Sequence, residues 1–223
     1  MADPRREAPA DSATPLTARD GEQLERCVRG GGVAVFPADT VYGLGCDPAN
    51  ERAVRRLYEL KGRPPERASA VMFFELQGAL GLLSELGRAE RELMRALLPG
   101  PLTLLVGNPL HRFPAACGPD PGTLGIRVPI LEGPLAALRS VGVPMMQSSA
   151  NISGEPDARR LADVPLSVRE AADLVLNGGE LPGLPSTVLD MRKFGADGSF
   201  SVLREGAVSA GEISRRLDRR ARP

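Results

Sequence analysis

The sequence is poor in the residues that most often carry acid–base and metal chemistry. It has one histidine, His111, no tryptophan, and three cysteines without the CxxC spacing of a zinc site. A histidine-based triad or metal centre would therefore depend on His111 alone, and a loop histidine without a role is the simpler interpretation of NPLHRFP. We predict no metal-ligating cluster, and the cysteine pattern favours a reducing compartment.

Net charge and long apolar runs are also missing. The formal charge at pH 7 is zero, so an anion site would have to be local rather than a property of the whole surface. No apolar run approaches the length of a membrane span, and the N-terminal segment lacks the apolar stretch of a secretory signal. We therefore expect a cytoplasmic protein without a membrane partner.

Lysine is scarce in an arginine-rich chain. Only Lys61 and Lys193 occur among 28 basic residues. Residues 51–61 are predicted to form a helix capped by Asn50 and ended by Gly62, and Lys61 lies on its apolar stripe. That position directs the ammonium toward packed atoms. The alternative is a cation that complements the helix C-terminus.

Apolar runs and amphipathic segments alternate along the chain and predict an α/β fold. Expected strands include VAVF, VYGLG, ASAVMFF, PLTLLV, TLGIRVP, STVLDM and FSVLREG, with helices over residues 17–29, 51–61 and from 210 onward. Several neighbouring strands are joined by short turns, which favours a mixed sheet over a strictly parallel one. The chain lacks the Walker, dinucleotide-binding, GxSxG and HExxH signatures.

The segment PADTVYGLGCD, residues 37–47, follows the apolar run GGGVAVF. It contains a proline, two glycines, hydroxyl groups and carboxylates within a few residues, more than a turn requires. We interpret it as backbone that approaches a ligand closely.

A second segment, KGRPPER, holds Lys61, Arg63 and Arg67 around two prolines. A stiff cationic loop suits a polyphosphate, because arginine forms forked contacts and lysine supplies a point charge. The alternative is a solvated charged turn.

A third segment, SSANISG, follows an apolar strand and contains Ser149 and Asn151. Small polar residues at a strand end can form an anion-binding nest, and a helix N-cap is the alternative. Arg127 and Arg204 lie within predicted strands, where a charge is either paired or faces a cavity. Together they predict a concave, cationic surface.

The motifs PADTVYGLG, KGRP, PLTLL, GIRVP, SSANISG, STVLD and LREGAVS occur in one order. In that order the chain resembles the YrdC/Sua5 family, the threonylcarbamoyl-AMP synthases of tRNA modification. The resemblance implies a single-domain YrdC-like fold, with a twisted, open mixed sheet, helices packed on it and a large cationic cavity. It covers residues 17–209, the YrdC-like domain. The composition of residues 1–16, rich in alanine, proline and charge, predicts a disordered tail, and a capping box of Ser209 and Glu212 predicts a C-terminal helix and tail over residues 210–223.

The resemblance also implies an activity and its residues. ATP, L-threonine and bicarbonate would yield threonylcarbamoyl-adenylate and pyrophosphate, with Mg²⁺ accompanying ATP and a tRNA-modifying transferase complex consuming the product. The implied threonine-binding residues are Thr40, Arg127, Ser149 and Ser186. The implied ATP-binding residues are Lys61, Arg63, Arg67, Asn151 and Arg204, with Lys61 and Arg63 as the catalytic pair.

The sequence departs from the family pattern at several positions. The family commonly reads PTDT where Ala38 stands, and residues 67–69, Met72 and residues 157–159 also differ. These positions bear on amino-acid specificity and on ATP placement. Two alternatives stay open: a domain that makes carbamoyl-adenylate from carbamoyl phosphate, and a non-catalytic module that binds double-stranded RNA.

Overall fold

A computed structural model describes residues 15–64 and 66–221. Within these residues, nine strands form one sheet in the order β7-β1-β2-β6-β3-β5-β4-β8-β9. The strands are β1 (Ala34–Pro37), β2 (Tyr42–Cys46), β3 (Ala70–Met72), β4 (Leu102–Gly107), β5 (Thr123–Arg127), β6 (Met145–Ser149), β7 (Leu174–Val175), β8 (Thr187–Asp190) and β9 (Ser201–Arg204).

Eight α-helices and two 3₁₀ segments connect and cover these strands in the same described part. The helices are α1 (Ala18–Arg29), α2 (Glu51–Lys61), α3 (Leu76–Leu82), α4 (Arg88–Leu97), α5 (Pro114–Cys117), α6 (Leu166–Ala171), α7 (Phe194–Asp197) and α8 (Ala210–Ala221). The 3₁₀ segments are Gly133–Ser140 and Leu161–Asp163.

The sheet is open and mixed, which confirms the predicted α/β class. Three of its pairs, β1–β7, β3–β5 and β4–β8, are parallel. The other five, including β1–β2 and β8–β9, are antiparallel. Helix α1 packs on β1, β2 and β7, and α4 packs against α7 and α8. β3 is shorter than the apolar run ASAVMFF predicts.

The limits of the predicted tail and domain stay a prediction. Residues 1–14 of the tail lie outside the described residues, and so do residues 222 and 223 beyond α8. The chain already contacts the rest of the fold before α1 begins, because the N–H of Leu16 donates to the carbonyl of Pro134 at 2.9 Å. Within the same part, no helix is both long enough and apolar enough to cross a membrane.

Helix α2 has the ends that its sequence predicts. The Asn50 side chain accepts a hydrogen bond from the Ala53 N–H at 3.1 Å, which satisfies a free donor of the first turn. Gly62 ends the helix in the left-handed conformation, with φ of 59°. The buried stripe includes Val54, Leu57 and Lys61, so the lysine side chain points inward.

The glycines of PADTVYGLG serve the sheet rather than a ligand. Residues 38–41 form the turn between β1 and β2, which pair with Phe36 opposite Gly43. A Cβ on Gly43 would lie 2.8 Å from the amide nitrogen of Gln147, and one on Gly45 would lie 2.5 Å from the sulfur of Met145. The missing side chains therefore make room for residues of β6, and the expected close approach to a ligand is wrong for these two glycines.

Candidate functional site

A cavity of about 530 Å³ lies on one face of the central strands. Alternate residues of β4 and β5 line it: Thr103, Leu105, Thr123, Gly125 and Arg127. Because successive residues of a strand point to opposite faces, this spacing brings one face of several strands to a common space. Further lining comes from β3, β6, β8 and β9 and from the loop after α2.

The nine predicted site residues fall into three groups according to where they lie relative to the cavity. Five line the cavity: Arg63, Arg127, Ser149, Ser186 and Arg204. Three are buried behind that wall and hydrogen-bonded to lining residues: Thr40, Lys61 and Asn151. The remaining one, Arg67, is exposed and does not line the cavity.

Lys61 is buried at the end of α2, with 3% of its surface exposed. Its Nζ donates to the carbonyl of Ser149 at 2.7 Å and to its hydroxyl at 3.2 Å. The same ammonium donates to the carbonyl of Asn151 at 2.9 Å and to its side-chain oxygen at 2.6 Å. Burial, followed by the charge of Arg63, lowers the Lys61 pKa to about 8.

These contacts decide between the alternatives for two motifs. The Lys61 ammonium turns to β6 and the segment after it, so its interactions are with SSANISG and not with the end of its own helix. SSANISG caps no helix within the described residues, since the next helical segment after Ser149 is the 3₁₀ turn Leu161–Asp163. The N-cap interpretation is therefore wrong, and the segment holds Lys61 instead.

Arg127 lies at the end of β5, with 4% of its surface exposed. Its Nη2 donates to the Asp39 carboxylate at 2.7 Å and to the Thr40 hydroxyl at 3.1 Å. Its Nη1 donates to the side-chain oxygen of Gln147 at 3.0 Å. Burial raises the pKa of the Asp39 carboxyl, and the charge of Arg127 opposes that rise.

The predicted residues on the β8 side of the cavity contact one another. The Ser186 hydroxyl lies 2.8 Å from the hydroxyl of Thr103. Arg204 donates from Nη2 to the Ser186 carbonyl at 2.8 Å, which joins β9 to the start of β8. The Arg204 side chain is otherwise exposed, so its charge faces the cavity and solvent.

The basic loop after α2 is held from inside. The Tyr58 hydroxyl donates to the Arg67 carbonyl at 3.0 Å and approaches the Ser69 hydroxyl at 3.3 Å. The N–H of Ser69 donates to the carbonyl of Ala116 at 2.8 Å, which ties the loop to α5. Arg63 donates to the Ala68 carbonyl. The loop therefore keeps Arg63 in the cavity wall and leaves the Arg67 side chain outside.

Two buried donors in this wall have no hydrogen-bond partner. Among the described side chains, the buried nitrogen and oxygen atoms without a partner are the Nε atoms of Arg63 and Arg127. Buried polar groups in folded proteins are almost always paired, so unpaired donors need an explanation. Both arginines line the same cavity, but their Nε atoms are themselves buried behind its surface.

The lining also includes carboxylates. Glu66, Asp120 and Asp157 line the cavity together with three arginines, so the charges of the lining balance formally. The cationic character predicted for the cavity therefore stays a prediction.

Sequence reasoning did not single out Asp39, Gln147 or Thr103 as partners of site residues. Asp39 was visible as a carboxylate at a strand end, and Gln147 directly precedes SSANISG. Their contacts join positions that are far apart in sequence, such as Asp39 and Arg127, which are 88 residues apart. Only the strand order brings such pairs together.

The family follows from comparison with known proteins. A family model for the Sua5/YciO/YrdC domain, described as "Telomere recombination", matches residues 26–206. Because this match covers most of the 223 residues, the chain belongs to the Sua5/YciO/YrdC family.

Two relatives of this chain are both named threonylcarbamoyl-AMP synthase. A threonylcarbamoyl-AMP synthase of Thiobacillus denitrificans is 38% identical over 149 residues, which cover 65% of this chain and 77% of the relative. A threonylcarbamoyl-AMP synthase of Pyrococcus abyssi is 30% identical over 189 residues, 84% of this chain. The chain spans only 54% of the length of the P. abyssi relative.

Solved structures share the fold. P. abyssi Sua5 complexed with L-threonine gives a TM-score of 0.75 at 26% identity and covers 92% of this chain, while the match spans 59% of that protein. Escherichia coli YciO gives a TM-score of 0.75 at 25% identity, with 90% of this chain and 96% of that one covered. The shared fold therefore extends over nearly the whole chain.

Proposed function

We propose that this chain is an enzyme that binds ATP and L-threonine in the described cavity. With bicarbonate as the third substrate, it forms threonylcarbamoyl-adenylate and releases pyrophosphate, the first step of threonylcarbamoyladenosine modification of tRNA. The observation that carries the proposal is that five of the predicted site residues, Arg63, Arg127, Ser149, Ser186 and Arg204, line one cavity. Relatives named threonylcarbamoyl-AMP synthase support it.

The chemistry needs alignment and charge more than a base. Bicarbonate loses water to give CO₂, and the neutral amine of threonine adds to CO₂ and releases a proton to solvent, which gives a carbamate. A carbamate oxygen then attacks the α-phosphorus of ATP while the bond to pyrophosphate breaks. Attacking group and triphosphate are both anionic, so fixed cations lower the barrier by offsetting their repulsion. Lys61, Arg63 and Arg204 supply such cations, and a strong base such as histidine has no role in this step.

Threonine would lie at the Arg127 side of the cavity, with its carboxylate toward the free Nη1 donor of that arginine. Thr40 orients Arg127, and Ser186 and Ser149 offer hydroxyl groups along the same wall. The triphosphate would lie toward Lys61, Arg63 and Arg204, with Asn151 fixing the ammonium. Arg67, being exposed, would act on the phosphates only through its charge.

Magnesium would enter with the nucleotide as part of the substrate. The described residues contain no group of three or more His, Cys, Asp or Glu side chains arranged to hold a metal ion. Mg²⁺ commonly binds through substrate phosphates, waters and one or two carboxylates, so a metal carried by ATP needs no cluster of protein ligands.

The test is direct incubation of the protein with MgATP, bicarbonate and each amino acid in turn. Mass spectrometry follows the adenylate, and a coupled assay follows pyrophosphate. We expect both products only with L-threonine and bicarbonate, and much less of both from Lys61→Ala. Pyrophosphate that depends on carbamoyl phosphate instead would establish the second alternative. Absence of turnover, together with tight binding of duplex RNA, would overturn the enzyme proposal.

The adenylate product is an activated, hydrolysable acyl donor. An enzyme that transfers the acyl group of the adenylate to tRNA would consume this product. That a tRNA-modifying transferase complex is this enzyme stays a prediction. Direct RNA binding by this chain also stays a prediction.

A further inference from the structure

The hydrogen bonds of Arg127 leave a defined set of donors. A guanidinium has five N–H groups. Asp39 and Thr40 take the two on Nη2, and Gln147 takes one on Nη1. One N–H on Nη1 is left for a ligand, while the Nε–H also has no partner but is itself buried.

Asp39 is the only carboxylate within ion-pair distance of Arg127 among the described residues, and it is itself fixed. One oxygen of Asp39 accepts from Arg127, and the other accepts from the N–H of Ile130 at 3.2 Å. The two charged side chains are 4% and 5% exposed. Asp39 does not line the cavity, so it acts on a ligand through Arg127 and through its charge.

The other cations of the site have no such partner. Within the described residues, no carboxylate lies within 4.0 Å of the charged nitrogens of Lys61, Arg63 or Arg204. Lys61 is bonded to neutral oxygens, Arg63 to a backbone carbonyl, and Arg204 to Ser186. Arg127 therefore has a carboxylate in direct contact, whereas Lys61, Arg63 and Arg204 have none at ion-pair distance and are offset only by the more distant carboxylates of the lining, such as Asp157.

We propose that Asp39 is a positioning residue that fixes the free Nη1 donor of Arg127 and cancels its charge, so that this side of the cavity accepts a zwitterionic amino acid and rejects phosphate groups. The proposal rests on the proposed function, because it assumes that an amino acid and a polyphosphate share the cavity. A multiply charged phosphate gains little from a neutral ion pair but is strongly attracted by an unpaired cation in a low dielectric.

The variant Asp39→Asn tests this proposal, since asparagine keeps the size and one acceptor oxygen but removes the charge. We expect the KM for L-threonine to rise roughly tenfold, because Arg127 loses the carboxylate that holds its guanidinium in place, while the KM for ATP changes less than about twofold. Pyrophosphate should become a competitive inhibitor against threonine, whereas in the wild type it should compete with ATP only.

A relocated charge separates neutralisation from simple packing. Gln147 contacts the other terminal nitrogen of Arg127, so Gln147→Glu in the Asp39→Asn background restores a carboxylate to the guanidinium. We expect this double variant to regain rejection of pyrophosphate at the threonine side. If Asp39→Asn does not fold, the single variant Gln147→Glu provides the test, because a second carboxylate should raise the KM for threonine alone.

The matched control is Asp173→Asn. Asp173 pairs with Arg56, and neither residue lines the cavity, so we expect both KM values to stay at the wild-type level. Equal changes of the threonine and ATP KM values in Asp39→Asn, or no change in either, would overturn the proposal.

Calorimetric titration with pyrophosphate keeps this result separate from the proposed function. Asp39→Asn should bind pyrophosphate more tightly than the wild type even in the absence of turnover. If the wild type forms no adenylate, the proposed function fails, while tighter pyrophosphate binding would still support charge cancellation by Asp39. If the wild type is fully active and Asp39→Asn binds pyrophosphate no more tightly than the wild type does, the role proposed for Asp39 is refuted while the proposed function stands.

Discussion

Lys61 and Arg127 are both buried cations beside the same cavity, but their surroundings differ. Four neutral oxygens from Ser149 and Asn151 surround the Lys61 ammonium. Arg127 instead forms an ion pair with Asp39 at 2.7 Å. Burying a charge is costly unless it is compensated, and Asp39 provides compensation for Arg127 alone.

This difference shows which of the two cations has a neutralising charge in direct contact within the protein itself. Dipoles hold the Lys61 ammonium in place without neutralising it, and burial lowers its pKa to about 8. An anion beside Lys61 would stabilise the charged form, so phosphate binding and protonation of Lys61 should favour each other. Arg127 already has a carboxylate, so a ligand there meets directed donors more than unneutralised charge.

The largest effect is expected from Lys61→Ala. Removing an inward cation from the proposed phosphate side should lower kcat/KM for ATP roughly a hundredfold or more, as for loss of one preorganised charge-stabilising donor. The protein should stay folded, because Ser149 and Asn151 keep their backbone positions in and after β6. Steady-state kinetics and thermal melting measure both quantities.

Lys193→Ala is the control for Lys61→Ala, since Lys193 is the only other lysine and is exposed. It should behave as the wild type in both measurements. If Lys61→Ala instead melts far lower and keeps its turnover per folded molecule, Lys61 is a structural residue and the contrast with Arg127 has no functional meaning.

A smaller loss is expected from Asn151→Ala and Ser149→Ala. Each removes one side-chain contact to the Lys61 ammonium, at 2.6 Å and 3.2 Å. Calorimetric titration should show ATP bound about tenfold more weakly, with stability changed by about 1 kcal/mol. Ser153→Ala is the control within the same segment, because its hydroxyl does not contact Lys61. Unchanged ATP affinity in both variants would restrict SSANISG to a structural role.

The pH profile should distinguish the two cations. The Lys61 pKa is lowered from 10.5 to about 8, so the ammonium loses its charge as pH rises through about 8. Because the charged form is the one that attracts phosphate, kcat/KM for ATP should fall about tenfold per pH unit above that value. Arginine stays protonated in this range, so threonine binding through Arg127 should not show the same decline. Parallel declines for both substrates would refute this assignment.

Local sequence signals predicted the elements that hold Lys61. The Asn50 cap, the terminal Gly62 and the apolar stripe of α2 depend on residues close in sequence, and each is present. The partners of Arg127 were not predictable in this way. Asp39 and Gln147 reach Arg127 because β2, β6, β3 and β5 are neighbours in the sheet, an order that does not follow the sequence. Buried pairs between distant strands therefore needed the structure.

The smallest effect is expected at Arg67, the predicted ATP-binding residue that the cavity does not include. Its carbonyl is bonded to Tyr58, while its side chain is exposed. An exposed charge contributes at most about 1 kcal/mol through solvent, so Arg67→Ala should lower kcat/KM for ATP by no more than about fivefold, and Arg67→Lys should leave it unchanged. Saturation curves for ATP and threonine at low and high salt provide the measurement, because a screened charge loses its effect at high salt. A salt-independent loss of tenfold or more in Arg67→Ala would contradict this expectation. It would mean that the loop after α2 moves on binding and brings Arg67 against the phosphates, adding a fourth cation to Lys61, Arg63 and Arg204.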